Sequence, residues 1–369
     1  PGVEVRFAQY QSLWIGGNNS SDKGKLMADG TLGTITFTSN EVTHTKGSWR
    51  CIYFYDYSDD TSLLNNVVVE YGGEGYSANI RCNSASPSIT NSLIGSSSVY
   101  GIYLDNSSPQ ILNNSIRNND NIGIYCNNSS SAITNNTILR NNNHGIYCSN
   151  SSPAITNNII VENGTTSASH YGIYKLSGNP AIDYNDVWNN GLGGTNSYFS
   201  CSAGAHDISL DPQFIGEGDY HLQSTSPCID AGSNSACPVT KDLDGNPRIL
   251  RIIDIGPYEF QGDFLQIRLL TPTEGPVGQI ITVQGNTSAT NTTITIDFGA
   301  KETITTTLSS ALGTFSATFI VDNQPLGTTV ITTTNILGNF ATAIFVITEG
   351  QPATITLSAN PSTIDADSG

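Results

Sequence analysis

The phrase Gly-Ile-Tyr recurs along this chain at nearly constant intervals, and no other feature constrains the fold as strongly. A second phrase, Ile followed two positions later by Asn in most copies, keeps the same register. Gly-Ile-Tyr returns after 22, 22 and 27 residues, starting at Gly101, Gly123, Gly145 and Gly172. We interpret the longer interval as a loop insertion at 164–169. A fixed period with one localised insertion is typical of stacked, near-identical supersecondary units.

Each unit contains short β-branched stretches separated by Asn, Ser, Gly and Pro. These stretches are too short for amphipathic helices and are typical of strands between turns. Within one such strand, Ile124 and Cys126 share one face and Tyr125 takes the other. Stacking the units at roughly 4.8 Å per layer buries one face of every strand in a common cylinder. The sequence therefore predicts an all-β fold, a parallel β-helix with one coil per 22 residues.

The same period predicts ladders of like residues. Columns that contain Ile124, Ile138 and Cys126 are expected to point inward. We also predict an asparagine ladder at an inner turn, with amides bonding from coil to coil, formed by Asn114, Asn136, Asn158 and Asn185. The alternative is that these asparagines are exposed turn residues, and the strict register favours the ladder.

Similar phrases continue upstream with looser spacing, at 34–38, 51–54 and 63–68. Over roughly residues 1–260 the chain resembles the secreted right-handed parallel β-helix proteins of the pectate-lyase-like superfamily. The resemblance implies right-handed coils and an extracellular location, but this fold hosts many functions. Because residues 1–5 match the middle of the pattern, we expect further coils or a cap before them.

Residues 205–262 leave the repeat. The motifs at 211–214, 226–232 and 254–259 resemble the C-terminal end of the β-helix in secreted bacterial surface proteins of the choice-of-anchor type. The resemblance implies no catalytic role for them. We predict that this region closes the open end of the cylinder, which would otherwise expose unpaired strand edges.

Residues 263–349 change to long Thr/Ile/Val alternation with Gly and Pro turns. The segments 271–278, 281–285 and 296–299 resemble IPT/TIG immunoglobulin-like domains, and the strand spacing predicts an Ig-like β-sandwich. Residues 350–369 resemble a linker and the first strand of a further, incomplete Ig-like domain. We therefore expect both ends of the chain to continue into a longer modular protein.

Charged residues are scarce and mostly acidic. They make up 12% of the chain, and 31 acids against 14 bases give a net charge of −17. This balance argues against nucleic acid and anionic membrane surfaces as partners. No stretch of 18 apolar residues occurs, so no membrane insertion is expected within this span. The composition and the resemblance together predict an extracellular or cell-surface protein.

The seven cysteines leave at least one thiol unpaired within the chain. Cys228 and Cys237 flank a short polar loop and are predicted to form a disulfide. Cys126 and Cys148 lie one coil apart, and both a disulfide and two buried thiols remain open for them. Glycosylation is predicted first for Asn163, in the loop insertion, and then for Asn106, Asn128 and Asn150.

Two sets of residues are candidate binding sites. Asp242, Asp244 and Asn246 have the spacing of an EF-hand start, which makes Ca²⁺ the one possible cofactor, although a polar turn is the favoured interpretation. An outward aromatic stripe could stack on sugar rings or dock a partner, and it consists of Tyr103, Tyr125, Tyr147 and Tyr174. Mutual stacking of these rings without a ligand is the favoured alternative.

A carbohydrate-cleaving β-helix needs clustered carboxylates and a positioned base. Across residues 79–180 the acids are few, and Asp105, Asp120 and Glu162 show no partner in the sequence. We therefore predict a non-enzymatic structural or adhesive protein, a surface adhesin or filament subunit that self-associates and has no glycan-cleaving activity. The alternative is a carbohydrate-active β-helix protein, either a polysaccharide lyase or a glycan-binding module.

Overall fold

The computed structural model describes residues 2–75 and 78–350, which fall into two compact units divided after Gly262. The predicted strand within 353–369 lies outside the described residues. In the described residues no helix is long and apolar enough to cross a membrane. The helical elements are two short 3₁₀ turns, Leu192–Gly194 and Asn234–Ala236.

The first unit is built from three parallel sheets that the chain visits in turn on every coil. Sheet one has eight strands: Val3–Phe7, Ile35–Ser39, Val67–Glu70, Leu93–Gly95, Ser115–Arg117, Thr137–Leu139, Ile159–Val161 and Asp186–Trp188. Sheet two has eight strands: Leu13–Ile15, Ile52–Phe54, Ala78–Asn83, Tyr100–Asp105, Ile124–Asn127, Ile146–Ser149, Ile173–Lys175 and Tyr198–Phe199. Sheet three has seven strands: Met27–Asp29, Leu63–Asn65, Ser88–Thr90, Gln110–Leu112, Ala132–Thr134, Ala154–Thr156 and Ala181–Asp183.

Strand pairing confirms the predicted parallel β-helix. Ile124 pairs with Ile102 and Ile146, each exactly one period away in the 22-residue register. The three inward columns, which include Ile124, Ile138 and Cys126, are fully buried. Parallel strands joined by crossovers within one sheet are almost always right-handed, as the predicted coil requires.

Each corner of the coil is held by a ladder of polar side chains. Between sheets three and one, Asn114, Asn136, Asn158 and Asn185 are fully buried and bond from coil to coil. Between sheets one and two a second ladder, which we did not predict, contains Asn119, Asn141, Asn163 and Asn190. Between sheets two and three, serine hydroxyls accept from backbone N–H groups one coil earlier, at Ser107, Ser129 and Ser151. These bonds satisfy backbone groups that a tight inward turn would otherwise leave without partners.

We expect Asn136→Ala to lower the free energy of unfolding by about 1–3 kcal/mol, the cost of leaving buried polar groups unsatisfied. The Asn136 amide accepts from Asn114 N–H at 2.9 Å and donates to the Ile111 carbonyl at 2.9 Å. Urea unfolding measures the change. The control is Asn142→Ala, because Asn142 is exposed and reaches only Asp120, at 3.2 Å. Equal losses in the two variants would contradict a structural role for the ladder.

The predicted closing region, residues 205–262, ends the first asparagine ladder and then returns along the side of earlier coils. Asp207 accepts from the backbone and side-chain N–H of Asn185 at 2.7 and 3.1 Å, so it ends the first asparagine ladder. Beyond this last partial coil the chain runs back along the side of earlier coils, where Gly256 N–H bonds the Asn157 carbonyl at 2.9 Å. Cys237 lies against Asn135, one coil further back. Closure of the cylinder end therefore describes only the beginning of this region.

A buried arginine organises the returning segment. Arg248 is fully buried and donates through Nη1 to Glu259 Oε2 at 2.8 Å and through Nη2 to the Asp254 and Gly256 carbonyls. Burial, together with the neighbouring carboxylates, raises the pKa of both Asp254 and Glu259 above the usual range, and the Arg248 guanidinium opposes that rise. The arginine is thus the buried cation that makes this acidic cluster tolerable.

The second unit contains two sheets that share one hydrophobic core, with Val283 on one sheet and Phe298 and Phe345 on the other. One sheet has three strands: Leu265–Thr271, Ile280–Thr287 and Thr314–Ile320. The other has five: Glu274–Gly275, Phe340–Ile347, Gly327–Asn335, Thr293–Phe298 and Lys301–Leu308. The alternating buried and exposed residues of these strands account for the Thr/Ile/Val texture of the sequence.

Candidate functional site

The corner between sheets one and two carries a charged pair in an unusual backbone conformation. Arg140 and Glu162 follow neighbouring strands of sheet one and have φ of 52° and 56°. Asn118 and Asn189 occupy the same corner on the coils before and after them. Asn tolerates this left-handed region, whereas Arg and Glu are disfavoured there by about 1 kcal/mol or more. Strain of this kind often marks a functional position.

The two side chains meet each other and a third charge. Arg140 Nε donates to Glu162 Oε2 at 2.6 Å, and Arg140 Nη1 donates to Glu217 Oε1 at 2.9 Å. Glu217 belongs to the turn of the antiparallel hairpin formed by Phe214–Gly216 and Asp219–Leu222. The hydrogen bond to Glu162 raises the pKa of Arg140, so the guanidinium stays charged. One arginine therefore holds two carboxylates side by side.

Two cavities adjoin this cluster. The first, of about 340 Å³, is bordered by Arg140, Glu162 and the insertion residues Thr165 and Thr166. The second, of about 290 Å³, has Arg140 and Glu162 in common with the first and continues to Glu217 and to Trp188, Asp211 and Tyr220. We call the combined depression the Arg140 groove. It offers carboxylates, a cation and an aromatic ring to a ligand.

The sequence suggests no partner for Glu162, and the structure corrects this, because Glu162 pairs with Arg140. Arg140 and Glu162 are 22 residues apart, so the coil period alone placed them on adjacent rungs of one corner. That signal was available and was overlooked. Glu217 could not be placed in the same way, because it comes from a hairpin outside the repeat.

His221, which contacts two carboxylates, links the hairpin to the turn that contains Asp244. His221 Nδ1 lies 2.5 Å from Asp219 Oδ1, and His221 Nε2 lies 2.5 Å from Asp244 Oδ2. Its ring packs on Tyr258 at a centroid distance of 4.1 Å. Burial lowers the pKa of His221, but the hydrogen bonds and charges of Asp244 and Asp219 outweigh it, and the pKa is raised overall.

We expect the stabilisation from His221 to be present below its unfolded pKa of about 6.5 and to be lost as the pH rises through its higher folded pKa. The groups that face it are Asp219, Asp244 and Tyr258, with Asp242 and Arg117 near Tyr258. The melting temperature of the parent, compared with His221→Gln at pH 5.5 and 8.5, measures the effect. The difference between the two proteins should be larger at pH 5.5. A difference that is constant or grows toward pH 8.5 would contradict a charged His221 bridge.

The predicted tyrosines form part of a longer aromatic column on the outer face of sheet two. The column has one residue per coil in strict register: Trp14, Tyr53, Arg81, Tyr103, Tyr125, Tyr147, Tyr174 and Phe199. The rings of Tyr125 and Tyr147 are 4.7 Å apart, and those of Tyr147 and Tyr174 are 5.0 Å apart. Arg81 lies 5.1 Å from the Tyr53 ring and 5.0 Å from the Tyr103 ring, which bridges the gap in the aromatic series. We call this set the tyrosine column.

Asp242 and Asp244, two of the candidate metal ligands, form hydrogen bonds to other groups of the protein. The Asp242 carboxylate accepts from the backbone N–H groups of Asp244, Asn246 and Glu259, at 3.0, 2.8 and 3.2 Å. Asp244 turns toward His221 instead. The three residues form a polar turn in which the Asp242 oxygens accept from backbone donors, and their role as Ca²⁺ ligands stays a prediction. In the described part of the chain, the acidic side chains that cluster closely enough to hold a metal ion are Asp230, Asp254 and Glu259.

The two cysteines of the predicted Cys228–Cys237 disulfide contact different groups in this structure. Cys228 is buried 3.3 Å from the Asp186 carboxylate, whereas Cys237 lies 3.2 Å from the Val239 carbonyl. The two cysteines are separated because the returning segment seats them on different neighbours. Cys126 and Cys148 are likewise buried thiols on adjacent rungs.

Glycosylation of Asn163 is excluded by its position. Asn163 is fully buried in the second asparagine ladder, and its Nδ2 donates to the Asn190 side chain at 3.0 Å and the Ile138 carbonyl at 2.9 Å. A sugar on this nitrogen would remove those bonds and would have no space. Asn106, Asn128 and Asn150 are exposed at the corner between sheets two and three, and their glycosylation stays a prediction.

Comparison with known proteins identifies the fold of the first unit. Residues 71–207 match the family model described as right handed beta helix region. No curated protein matches the chain. Two solved structures match with 12% identity and a TM-score of 0.34 over 91% of this chain. They are full-length tailspike protein 2 from Escherichia coli O157:H7 bacteriophage CAB120 and the enzymatically active domain of bacteriophage CBA120 tailspike protein 2, of which the chain covers 57% and 63%.

The coils are thus right-handed and parallel, as predicted. This comparison contradicts the prediction of a non-enzymatic adhesin or filament subunit, because one matching structure is an enzymatically active domain. The charges along the coils are not isolated, since Arg140 and Glu162 stack in register and Glu217 comes from outside the repeat. The alternative from the sequence, a carbohydrate-active β-helix protein, is therefore taken up as a proposal.

Proposed function

We propose that this chain is a carbohydrate-active β-helix protein that hydrolyses a neutral polysaccharide in the Arg140 groove. The observation that carries the proposal is the pair of carboxylates, Glu162 and Glu217, bonded to one arginine beside two cavities. Trp188 borders the same groove and supplies aromatic surface for a sugar ring.

The reaction that suits this arrangement is glycoside hydrolysis. Two carboxyl groups on either side of a glycosidic bond divide the work, since one protonates the leaving oxygen and the other assists the attacking water or attacks the sugar itself. The separations used by such pairs are about 5–10 Å. Glu162 Oε2 and Glu217 Oε1 bond to different nitrogens of one guanidinium, Nε and Nη1, which makes the two carboxylates neighbours in the groove. Arg140 fixes the position of Glu162, while the hairpin brings Glu217 to it.

Charge favours a neutral substrate over an acidic one. Glu162, Glu217 and Asp211 border the groove, and Arg140 is the cation that faces them. The net charge of the whole chain, −17, adds to the repulsion of a polyanion. A lyase acting on uronates needs cations to neutralise the substrate carboxylate, and the acidic excess of this groove opposes that reaction. Hydrolysis of a neutral chain is therefore preferred over elimination.

The remaining features fit an extracellular protein that acts on polymers. The surface is rich in Asn, Ser and Thr, and its corners carry exposed sequons at Asn106, Asn128 and Asn150. The two-sheet second unit, which we propose to be Ig-like, would serve as a spacer or attachment module.

The test is incubation of the full chain with neutral glucans, mannans, xylans and galactans, and with pectate, alginate and glycosaminoglycans. We expect new reducing ends from at least one neutral polymer, and no unsaturated products. Release of unsaturated ends from an acidic polymer would replace hydrolysis by elimination. No turnover on any neutral polymer would overturn the proposal.

A further inference from the structure

The outer face of sheet two carries a surface that the groove does not use. We infer that the tyrosine column binds a linear neutral polysaccharide chain lying parallel to the stack axis. The column occupies eight successive coils and spans about 34 Å at the usual strand spacing. The inference goes beyond the hydrolysis proposed for the groove, because the column is a separate binding surface with its own chemistry.

The stacking of the rings decides what they present to a ligand. The planes of Tyr147 and Tyr174 differ by 5°, those of Tyr125 and Tyr147 by 21°, and those of Tyr174 and Phe199 by 7°. Rings stacked in this way cover much of each other's faces, so a sugar cannot lie flat on each ring. The column instead presents ring edges and phenol hydroxyls. Burial raises the pKa of Tyr103, Tyr125 and Tyr147, so these hydroxyls remain donors at neutral pH.

The hydroxyls are available for a ligand. Among the residues that the structure describes, the phenol oxygens of Tyr103, Tyr125, Tyr147 and Tyr174 make no hydrogen bond to protein. The four side chains are half-buried on the outer face of sheet two, so they are partly open to solvent. Four hydroxyls on consecutive coils form a row with one donor and one acceptor group at each step.

The distance between successive tyrosines along the column indicates which kind of polymer matches it. Consecutive hydroxyls are about one strand spacing, roughly 4.8 Å, apart along the axis. An extended chain of pyranose sugars advances by nearly the same distance per sugar, so each sugar can meet one phenol. An extended peptide advances only about 3.3 Å per residue and loses register within a few coils. Nucleic acid is repelled by the net charge of −17.

A second polar column runs beside the first. Two positions after each tyrosine column residue, sheet two places Asn83, Asp105, Asn127 and Ser149 on the same outward face. Asn127 Nδ2 donates to Asp105 Oδ1 at 2.9 Å, which fixes both side chains. The nearby charges are few, Arg81, Asp105 and Lys175, and they do not favour a polyanion. The two parallel columns can bond to hydroxyls on one edge of a neutral glycan.

The experiment removes the hydroxyls and keeps the rings. In the full chain, Tyr103, Tyr125, Tyr147 and Tyr174 are all replaced by Phe, and affinity electrophoresis in soluble linear glucan, xylan and mannan gives the dissociation constants. We expect the quadruple variant to bind the polymer at least about tenfold more weakly than the parent, with an unchanged melting temperature. The control is Tyr10→Phe, which changes an exposed tyrosine outside the column and should bind as the parent does.

The outcomes of this binding experiment can be distinguished from those of the hydrolysis test for the Arg140 groove. Equal binding by parent and quadruple variant, or a parent that binds none of these polymers, would overturn the inference even if turnover is observed. Binding that depends on the four hydroxyls would support the inference even if no polymer is cleaved. A variant whose only change is its oligomeric state would assign the column to contact between copies of the chain and overturn the inference.

Discussion

Glu162→Gln should lower kcat on the polymer cleaved by the parent by at least about a hundredfold, the usual range for losing a general acid or base. Glutamine keeps the shape and can still contact Arg140, but it cannot exchange a proton or act as a nucleophile. Since Glu162 is near the surface and its ion pair is partly solvated, the melting temperature should change little. Initial rates of reducing-end release, measured alongside thermal melting, give both quantities.

A matched pair on the same β-helix provides the control. Arg50 and Glu74 form an ion pair 3.4 Å long whose side chains are 34% and 32% exposed, close to the 36% and 32% of Arg140 and Glu162. Glu74→Gln removes a comparable charge away from the groove and should leave turnover unchanged. Similar turnover losses in both variants would indicate a general charge effect, and full activity of Glu162→Gln would remove Glu162 from the reaction.

Arg248→Met should lower the free energy of unfolding by about 3–5 kcal/mol, the cost of removing one partner of a buried ion pair. The side chains of Arg248 and Glu259 are 0% and 1% exposed, so water cannot replace the lost guanidinium. The Asp254, Gly256 and Tyr258 carbonyls would also lose their donor. The loss should be greater at pH 9 than at pH 6, because ionised Glu259 and Asp254 depend most on the arginine.

Urea unfolding at both pH values measures this effect. Arg248→Lys keeps the charge but loses the forked donor geometry, so its free energy of unfolding should lie between those of the parent and Arg248→Met. The surface control is Arg50→Met, for which the loss should stay below about 1 kcal/mol. If Arg248→Met unfolds at the same urea concentration as the parent, the returning segment does not depend on this arginine.

The fold was predictable because its signal is periodic. Ile124, Cys126 and Asn136 were placed correctly by a 22-residue register, and the structure buries all three. The second asparagine ladder had the same register but was missed, since Asn163 was assigned to the loop insertion instead of to the corner before it. The 22-residue period is therefore a better indicator of the position of Asn163 than the local composition of the loop insertion.

The groove was less predictable for a physical reason. Its floor comes from two coils, and Arg140 and Glu162 could have been paired from the period. Glu217 and Tyr220 reach the groove only because the segment after the last coil folds back along the side of the stack, held by His221 and Arg248. Contacts of this kind depend on packing between segments far apart in sequence, which no local pattern encodes.

The corner ladders have a consequence for how such a rod can change in evolution. Each ladder amide bonds within its own coil and to the coils directly before and after it, so every coil interacts almost entirely with its two neighbours. Whole 22-residue coils can then be gained or lost upstream of Asn119 as interchangeable links, while the two coils under the groove stay intact. The length of the tyrosine column, and with it the number of sugars it could span, would be adjustable one sugar at a time without altering the reaction site.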